Sequence, residues 1–323
     1  MKRPIFIHAG LRSGSTYFWS KFRDIPTVMA FYEPFSEDLG RATRHFMLTH
    51  GPDSWSSRHA PTAPYYREYE PLLEDDRPGI HGFHPSFSYV NYFLNTPALP
   101  EQHAYLDALL ALARSKEKQP VLGFCRSLGR TAWMRRHFPE AFHIVMVRNP
   151  VDQWLSGYYF HQSTHNPYFL INPVWCLRHP GDHPYAAAIA PTMAELMDQP
   201  ALPLSALYEV FLQVYAAGLI TALHDADLIV DIDLLTASPT YRRAVEESLT
   251  EATGLALDFA DCHIATYREE TSGVDFVRVT DRVVASLSSW IRDEPRANNW
   301  PLRHPWALLS LLEVSARRAP RQP

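Results

Sequence analysis

The sequence predicts an α/β protein of three layers, with helices on both faces of a central parallel sheet. Two observations carry the prediction. Short apolar runs alternate with helical periodicity along most of the chain, the pattern left by strand–helix–strand crossovers. One of those runs, Phe142 to Val147 (FHIVMV), is nearly continuous rather than alternating, as a strand covered on both faces must be.

The first strand reads as Ile5-Phe6-Ile7, too short for a helix and bounded by turn chemistry. Gly10, Arg12, Ser13, Gly14, Ser15 and Thr16 follow, and then a helical pattern carrying Tyr17, Phe18 and Phe22. A strand that turns through glycines and hydroxyls into a helix presents unpaired backbone N–H groups with the positive end of the helix dipole behind them. That is a phosphate site; the plain alternative is a strand–loop–helix with a serine cap. Thr27 to Phe31 is the second strand, and Pro34 biases Glu33 to an extended conformation where that strand ends. In an open parallel sheet the C-terminal ends of the strands line the ligand crevice, so Glu33 belongs there.

Leu39 to Leu48 reads as helical. From about 49 to 100 periodicity fails in a stretch rich in Pro, Ser, His and aromatic residues, Trp55 among them. Glu101 to Ser115 is a helix with Leu106, Leu109, Leu110 and Ala113 on one face, and Pro120 to Phe124 is a strand ending in Cys125-Arg126-Ser127. A helix through Trp133 and Phe138 precedes the central strand 142–147, which ends in Arg148-Asn149-Pro150, proline standing at a helix start. Residues 161–203 form a second irregular, proline- and aromatic-rich insertion. A long helix over Leu204 to Leu223, a strand over Leu228 to Ile232, a helix over Tyr241 to Thr253 capped by Gly254, and helices over Val279 to Ile291 and Trp306 to Arg318 complete the chain, with a fraying basic tail. Residues 1–323 read as one domain.

Composition narrows the function. Net charge is −5, which offers no basic face for nucleic acid. Three cysteines, Cys125, Cys176 and Cys262, stand far apart with no metal-site spacing, and the sixteen histidines show no HExxH pattern; the expectation is a reducing compartment and no metal. No signal peptide is recognised, and no apolar run approaches the length of a membrane span.

The first loop lacks the lysine of the Walker pattern: Ser15 takes its place after Gly14, and the cation, Arg12, stands inside the loop. Arg12-Ser13-Gly14-Ser15-Thr16 resembles the 5′-phosphosulfate loop of the sulfotransferase family, a Lys or Arg followed by Ser/Thr-Gly-Ser/Thr-Thr. The junction IVMVRNPVDQWLSGYY resembles the family's second motif, in which an arginine ending the central strand (Arg148 here) and a serine eight residues on (Ser156) hold the 3′-phosphate of 3′-phosphoadenosine 5′-phosphosulfate (PAPS). Asp231 to Leu235, with Gly254-Leu255, resembles the family's Tyr-Glu-Asp-Leu stretch and the helix after it. The resemblance runs from about Pro4 to Phe259 and is closest to bacterial carbohydrate-type members; it fades over the two insertions.

The resemblance implies a P-loop-like sulfotransferase fold, PAPS as donor, no metal requirement and, since family members of the Golgi carry an N-terminal anchor, a cytoplasmic enzyme. It implies that Arg12, with Ser13, Gly14, Ser15 and Thr16, stabilises charge on the leaving phosphate, while Arg148 and Ser156 grip the 3′-phosphate. An acceptor hydroxyl must lose a proton, and Glu33 is the candidate base, with Glu37 behind it and His81 and His84 as alternatives. Arg126 and Arg130 are candidates for neutralising sulfate or acceptor charge, unless they are surface arginines of a helix start. The insertions at about 49–100 and 161–203 bring aromatic residues suited to a carbohydrate or glycoconjugate acceptor, unless they fill a local core. Small phenol, lipid or peptide acceptors are the alternative. Two readings of another kind are a P-loop kinase, with Asp231 or Asp233 holding magnesium, and a non-catalytic scaffold that binds adenosine 3′,5′-bisphosphate.

Overall fold

Strands β1 (Ile5–His8), β2 (Val28–Tyr32), β3 (Gln119–Phe124), β4 (Phe142–Val147) and β5 (Leu228–Asp231) form one parallel sheet in the order β2-β3-β1-β4-β5. The structure is a computed structural model and describes residues 2–51, 64–198, 201–265, 267, 272–293 and 305–317. β1 is the middle strand: residues 5–8 run in register with 121–124 on one side and 142–145 on the other. The chain leaves β1 for the β2 edge and later passes over it from β3 to β4, so the loop after β1 lies where the winding reverses. Ligand crevices form at such points.

Twelve α-helices lie among the described residues: α1 (Ser15–Arg23), α2 (Arg44–Thr49), α3 (Pro100–Ser115), α4 (Thr131–His137), α5 (Pro150–Thr164), α6 (Tyr168–Leu177), α7 (Pro184–Met197), α8 (Leu204–Asp225), α9 (Ile232–Ala237), α10 (Pro239–Thr253), α11 (Phe276–Asp293) and α12 (Pro305–Ala316). The layering is visible in β4. Ile144 and Met146 enter a core shared with Phe18 and Phe22 of α1 and Leu106 of α3, while Val145 and Val147 enter another with Leu155 of α5 and Leu212 of α8. A strand whose alternate residues feed two cores reads as one unbroken apolar run. Gly254 closes α10 at φ 72, the left-handed cap expected of it.

Three expectations need correction, and one open alternative, aromatics filling a local core, is the one observed. The helix over 39–48 is two pieces, a 3₁₀ turn over Glu37–Arg41 and then α2, separated by the extended Ala42 and Thr43. The second insertion is not irregular, since α6 and α7 occupy most of it. Each tolerates an internal proline, Pro173 or Pro191, and those prolines hid the helices from the sequence reading. Most aromatics of the first insertion, including Tyr65, Tyr69, Phe87 and Phe93, are buried in the two cores. Finally, α8 is 22 residues with a mean hydropathy of 1.5 in its most apolar stretch, long and apolar enough to cross a bilayer, although 89% of that stretch is buried inside the protein. Trp55 and the tail from residue 318 lie outside the described residues.

The sheet also buries a polar chain. His143 Nε2 faces the Phe138 carbonyl at 3.3 Å and must donate to it, which leaves Nδ1 to accept from His8 Nε2 at 2.9 Å. His8 Nδ1 then accepts from the Ser127 hydroxyl at 2.7 Å. Both rings are neutral. Burial holds His8 well below the usual imidazole range and, with Arg135 nearby, pushes His143 down to about 4. Between pH 4 and 6.5 the unfolded chain therefore binds protons that the folded chain refuses, so stability falls as pH falls. The contribution of His143 alone should be on the order of 2 kcal/mol lost by pH 4.5. Urea denaturation at pH 7 and 4.5 should show it, and His143→Gln should reduce the difference, His8 supplying the remainder.

Candidate active site

All five strands deliver a residue to one cleft of about 310 Å³: Arg12 and Gly14 after β1, Glu33 after β2, Cys125 after β3, Arg148 after β4 and Ile232 after β5. The cause is geometric, because parallel strands end on the same edge of the sheet.

The floor is the N-terminus of α1. Its cap residue is Gly14 at φ 86, which has no side chain with which to satisfy the first-turn amides, so the N–H groups of that turn remain for something else. A Cβ at Gly14 would meet Ile232 Cγ1 at 3.1 Å, and an L-residue there is strained by its φ in any case. Ser13 turns back to the Gly10 carbonyl at 2.7 Å and shapes the loop. Ser15 Oγ lies 3.0 Å from Cys125 Sγ, and Thr16 Oγ1 lies 2.9 Å from the Tyr32 hydroxyl.

Arg12 and Arg148 converge. Arg148 donates through Nη1 to the Arg12 carbonyl at 2.6 Å and through Nη2 to the Ala265 carbonyl at 3.0 Å; its Nε is buried without a hydrogen-bond partner among the described residues. Arg12 stands at φ 66, donates from Nε to Ser156 Oγ at 3.0 Å, and lies over the Phe169 ring at 4.9 Å. Burial and the neighbouring Arg148 act to lower its pKa against the pull of Tyr267. The Tyr267 hydroxyl donates to the same Ser156 at 3.1 Å. Ser156 thus serves Arg12 here and stands beside the pair of arginines rather than against Arg148 alone.

Glu33 reaches the cleft by a route the sequence did not suggest. Its φ is 44, not extended, despite the following proline. A left-handed non-glycine residue costs about 1–3 kcal/mol. The turn is held by Glu33 N donating to the Gly123 carbonyl and Ser36 N donating to the Glu33 carbonyl, both at 2.8 Å. Of the residues at positive φ, Arg12, Gly14 and Glu33 all line this one cleft.

The Glu33 carboxylate is ion-paired to Arg126, and both are almost sealed, at 6% and 4% exposed. Arg126 reaches Glu37 Oε2 with its other arm at 2.7 Å and also donates to the Tyr168 hydroxyl. The two acids differ. Burial pushes Glu33 up, outweighing the opposing pull of Arg126. Burial also acts to raise Glu37, but Arg126 and hydrogen bonds from Tyr168 and Tyr89 bring it below the usual carboxylate range. One arginine thus holds a carboxylate that stays ionised and another that is readier to take a proton, the separation expected of an acid–base site.

Other candidates fall outside the cleft. His81 has 77% of its side chain exposed and faces Glu74, while His84 caps the 3₁₀ turn at Ser86. Neither lines the cleft or the cavity next to it. Arg130 is neither a surface arginine nor a cleft residue. It is fully buried, donates to Gln102 Oε1 at 3.0 Å, lies over Phe35, and is pulled down to about 9 by burial. Asp231 caps α9 by accepting from Leu234 N at 3.0 Å, and Asp233 accepts from Asn149 N at 2.7 Å. Both acids are engaged by backbone amides that set the β4 and β5 turns.

Sequence reasoning missed Cys125, Tyr32, Phe169 and the strip 263–265 with Tyr267, all of which line the cleft. Cys125 adjoined a suspected residue; the strip has no periodicity to mark it.

No family model matches the sequence, and no curated protein matches it. Among solved structures the chain is similar to a crystal structure of a sulfotransferase from Alicyclobacillus acidocaldarius, at 14% identity over 98% of this chain and 100% of that one, with a TM-score of 0.39, a likeness too slight to assign a role.

Arg126→Met would leave two carboxylates facing each other without their cation. Stability at pH 7 should drop by about 3–5 kcal/mol, the usual cost of orphaning a buried charge. The loss should shrink at pH 4, where the carboxyls take up protons. Chemical denaturation at the two pH values measures both.

Proposed function

We propose that this protein transfers a sulfuryl group from PAPS to an acceptor hydroxyl, releasing adenosine 3′,5′-bisphosphate. The observation that carries this reading is that the uncapped N-terminus of α1, Arg12, Arg148 and Glu33 open onto the same cleft. A donor with anionic groups at both ends needs two separate cationic grips, and a transferred sulfuryl needs a base on the acceptor side.

On this reading the 5′ end of the donor lies on the first turn of α1, where amides and the helix dipole favour an anion. Arg12, with Ser15 and Thr16, faces the oxygen that bridges phosphorus and sulfur. Arg148, whose buried Nε lacks a partner among the described residues, and Ser156 take the 3′-phosphate. During transfer the acceptor oxygen forms a bond to sulfur, the sulfur–oxygen bond to the 5′-phosphate breaks, and the acceptor proton passes to Glu33. Negative charge then builds on the departing phosphate, where Arg12 and the loop amides stabilise it. A sulfuryl group carries less charge than a phosphoryl group, so no metal is invoked. The backbone engagement of Asp231 and Asp233 speaks against their use as magnesium ligands in a kinase. The favoured acceptor class is a carbohydrate or glycoconjugate, supported by the aromatic walls beside Glu33. Three free, buried thiols fit the proposed cytoplasmic setting.

The test is transfer of labelled sulfate from PAPS in the presence of EDTA. Glu33→Gln should cut turnover by at least about 10²-fold while leaving calorimetric affinity for adenosine 3′,5′-bisphosphate within about twofold. Because the Glu33 carboxyl is raised, kcat/KM should climb with pH through an apparent pKa above the usual glutamate value, and the climb should vanish in that variant. Arg148→Ala should instead weaken bisphosphate binding by about 10- to 100-fold, the worth of charge-assisted hydrogen bonds; unaltered affinity would remove the second phosphate grip.

A further inference from the structure

A second cavity of about 240 Å³ adjoins the cleft and shares Leu11, Tyr32, Glu33 and Phe169 with it. Glu33 stands in the common wall. The described linings of the two chambers carry opposite net charge. The cleft is lined by Arg12 and Arg148, with Glu33 as the sole carboxylate among its described lining residues. The second chamber is lined by Glu33, Glu37 and Asp38 against Arg41 and Arg126.

Both arginines of the described lining are already paired with its acids. Arg126 is committed to Glu33 and Glu37, and Arg41 is paired with Asp38 at 2.6 Å. His50 contributes no cation, since burial lowers its pKa and keeps it neutral near pH 7. The remaining described walls are largely aromatic, with Tyr65, Tyr66, Tyr168 and Phe160 among them. A carboxylated or sulfated ligand entering here would lose water against three acids, and each arginine among the described lining residues is already paired with one of them. A neutral hydroxyl compound would meet aromatic faces and hydrogen-bond acceptors, and an ammonium group would gain from both the rings and the acids.

Building on the proposed sulfuryl transfer, we infer that this second chamber is the acceptor site and that it selects uncharged or cationic hydroxyl compounds against anionic ones. The separation of charge has a further consequence. It directs the anionic donor to the cleft and keeps it out of the acceptor chamber, so a single carboxylate in the shared wall can serve both.

Two matched sets of acceptors test the inference. One is tyrosol, tyramine and 4-hydroxyphenylacetate; the other is a 4-nitrophenyl galactoside with its galactosamine and galacturonide counterparts. Within the set that is used, the neutral and ammonium members should exceed the carboxylate in kcat/KM by at least tenfold, and the set itself tells a sugar acceptor from a phenol. Asp38→Asn, which releases Arg41, should narrow the gap threefold or more; the exposed Arg41→Gln, which leaves Asp38 unpaired, should widen it. A carboxylate member sulfated as well as its neutral partner, or a gap that neither variant moves, overturns the inference. So does failure of all six compounds while adenosine 3′,5′-bisphosphate still binds. Loss of bisphosphate binding in the unmodified protein would instead sink the donor assignment on which the inference rests.

Discussion

Parallel strands that leave a sheet at the same edge must bring their following loops together, and this constraint organises the molecule. Gly14, Glu33, Cys125, Arg148 and Ile232 are far apart in the chain, yet each follows one of the five strands into the same cleft. Hydrogen bonds across neighbouring turns then lock the edge. Arg148 holds the Arg12 carbonyl, Gln153 holds the Leu11 carbonyl, and Asp233 holds the Asn149 amide. The loop after β1 is consequently shaped by β4 and β5 before any ligand arrives, the preorganisation that electrostatic catalysis requires.

Charge is distributed across that edge unevenly. On one side of Glu33 lie two arginines whose hydrogen bonds run to carbonyls and a hydroxyl, and on the other lie arginines neutralised by carboxylates. Arg126 makes the division possible. It is buried between Glu33 and Glu37, and it allows two acids to be packed together while their affinities for a proton diverge. The left-handed backbone at Arg12 and Glu33 is unfavourable in isolation, and it persists because backbone hydrogen bonds over-determine each turn.

How much was legible depended on whether a signal was local. The strands and most helices are local, set by apolar runs and caps, and their order emerged correctly. Arg12 and Arg148 could be named because they sit at strand-to-helix junctions, where chain position alone implies the crevice. Glu33 was placed on the right edge for an incomplete reason: proline restricts its neighbour on average, but two backbone hydrogen bonds here override the average. His81 and His84 were named on chemistry without any periodicity to position them, and both lie away from the cleft. Helices α6 and α7 stayed hidden because internal prolines erase the ordinary helical signature, although the surrounding core tolerates them.

The sequence by itself determined the layered parallel architecture, since an unbroken apolar strand can be covered only on both faces, and with it the edge where chemistry belongs. It also determined a glycine- and hydroxyl-rich turn into a helix and arginines at two junctions, because those are properties of adjacent residues. Only the tertiary structure decided that Arg126 would be shared between Glu33 and Glu37, that Arg130 would vanish into the core, and that Tyr267 would meet Ser156. Those outcomes depend on which long side chains face each other after packing, and an ion pair between residues some ninety positions apart leaves no trace in the local pattern of either partner.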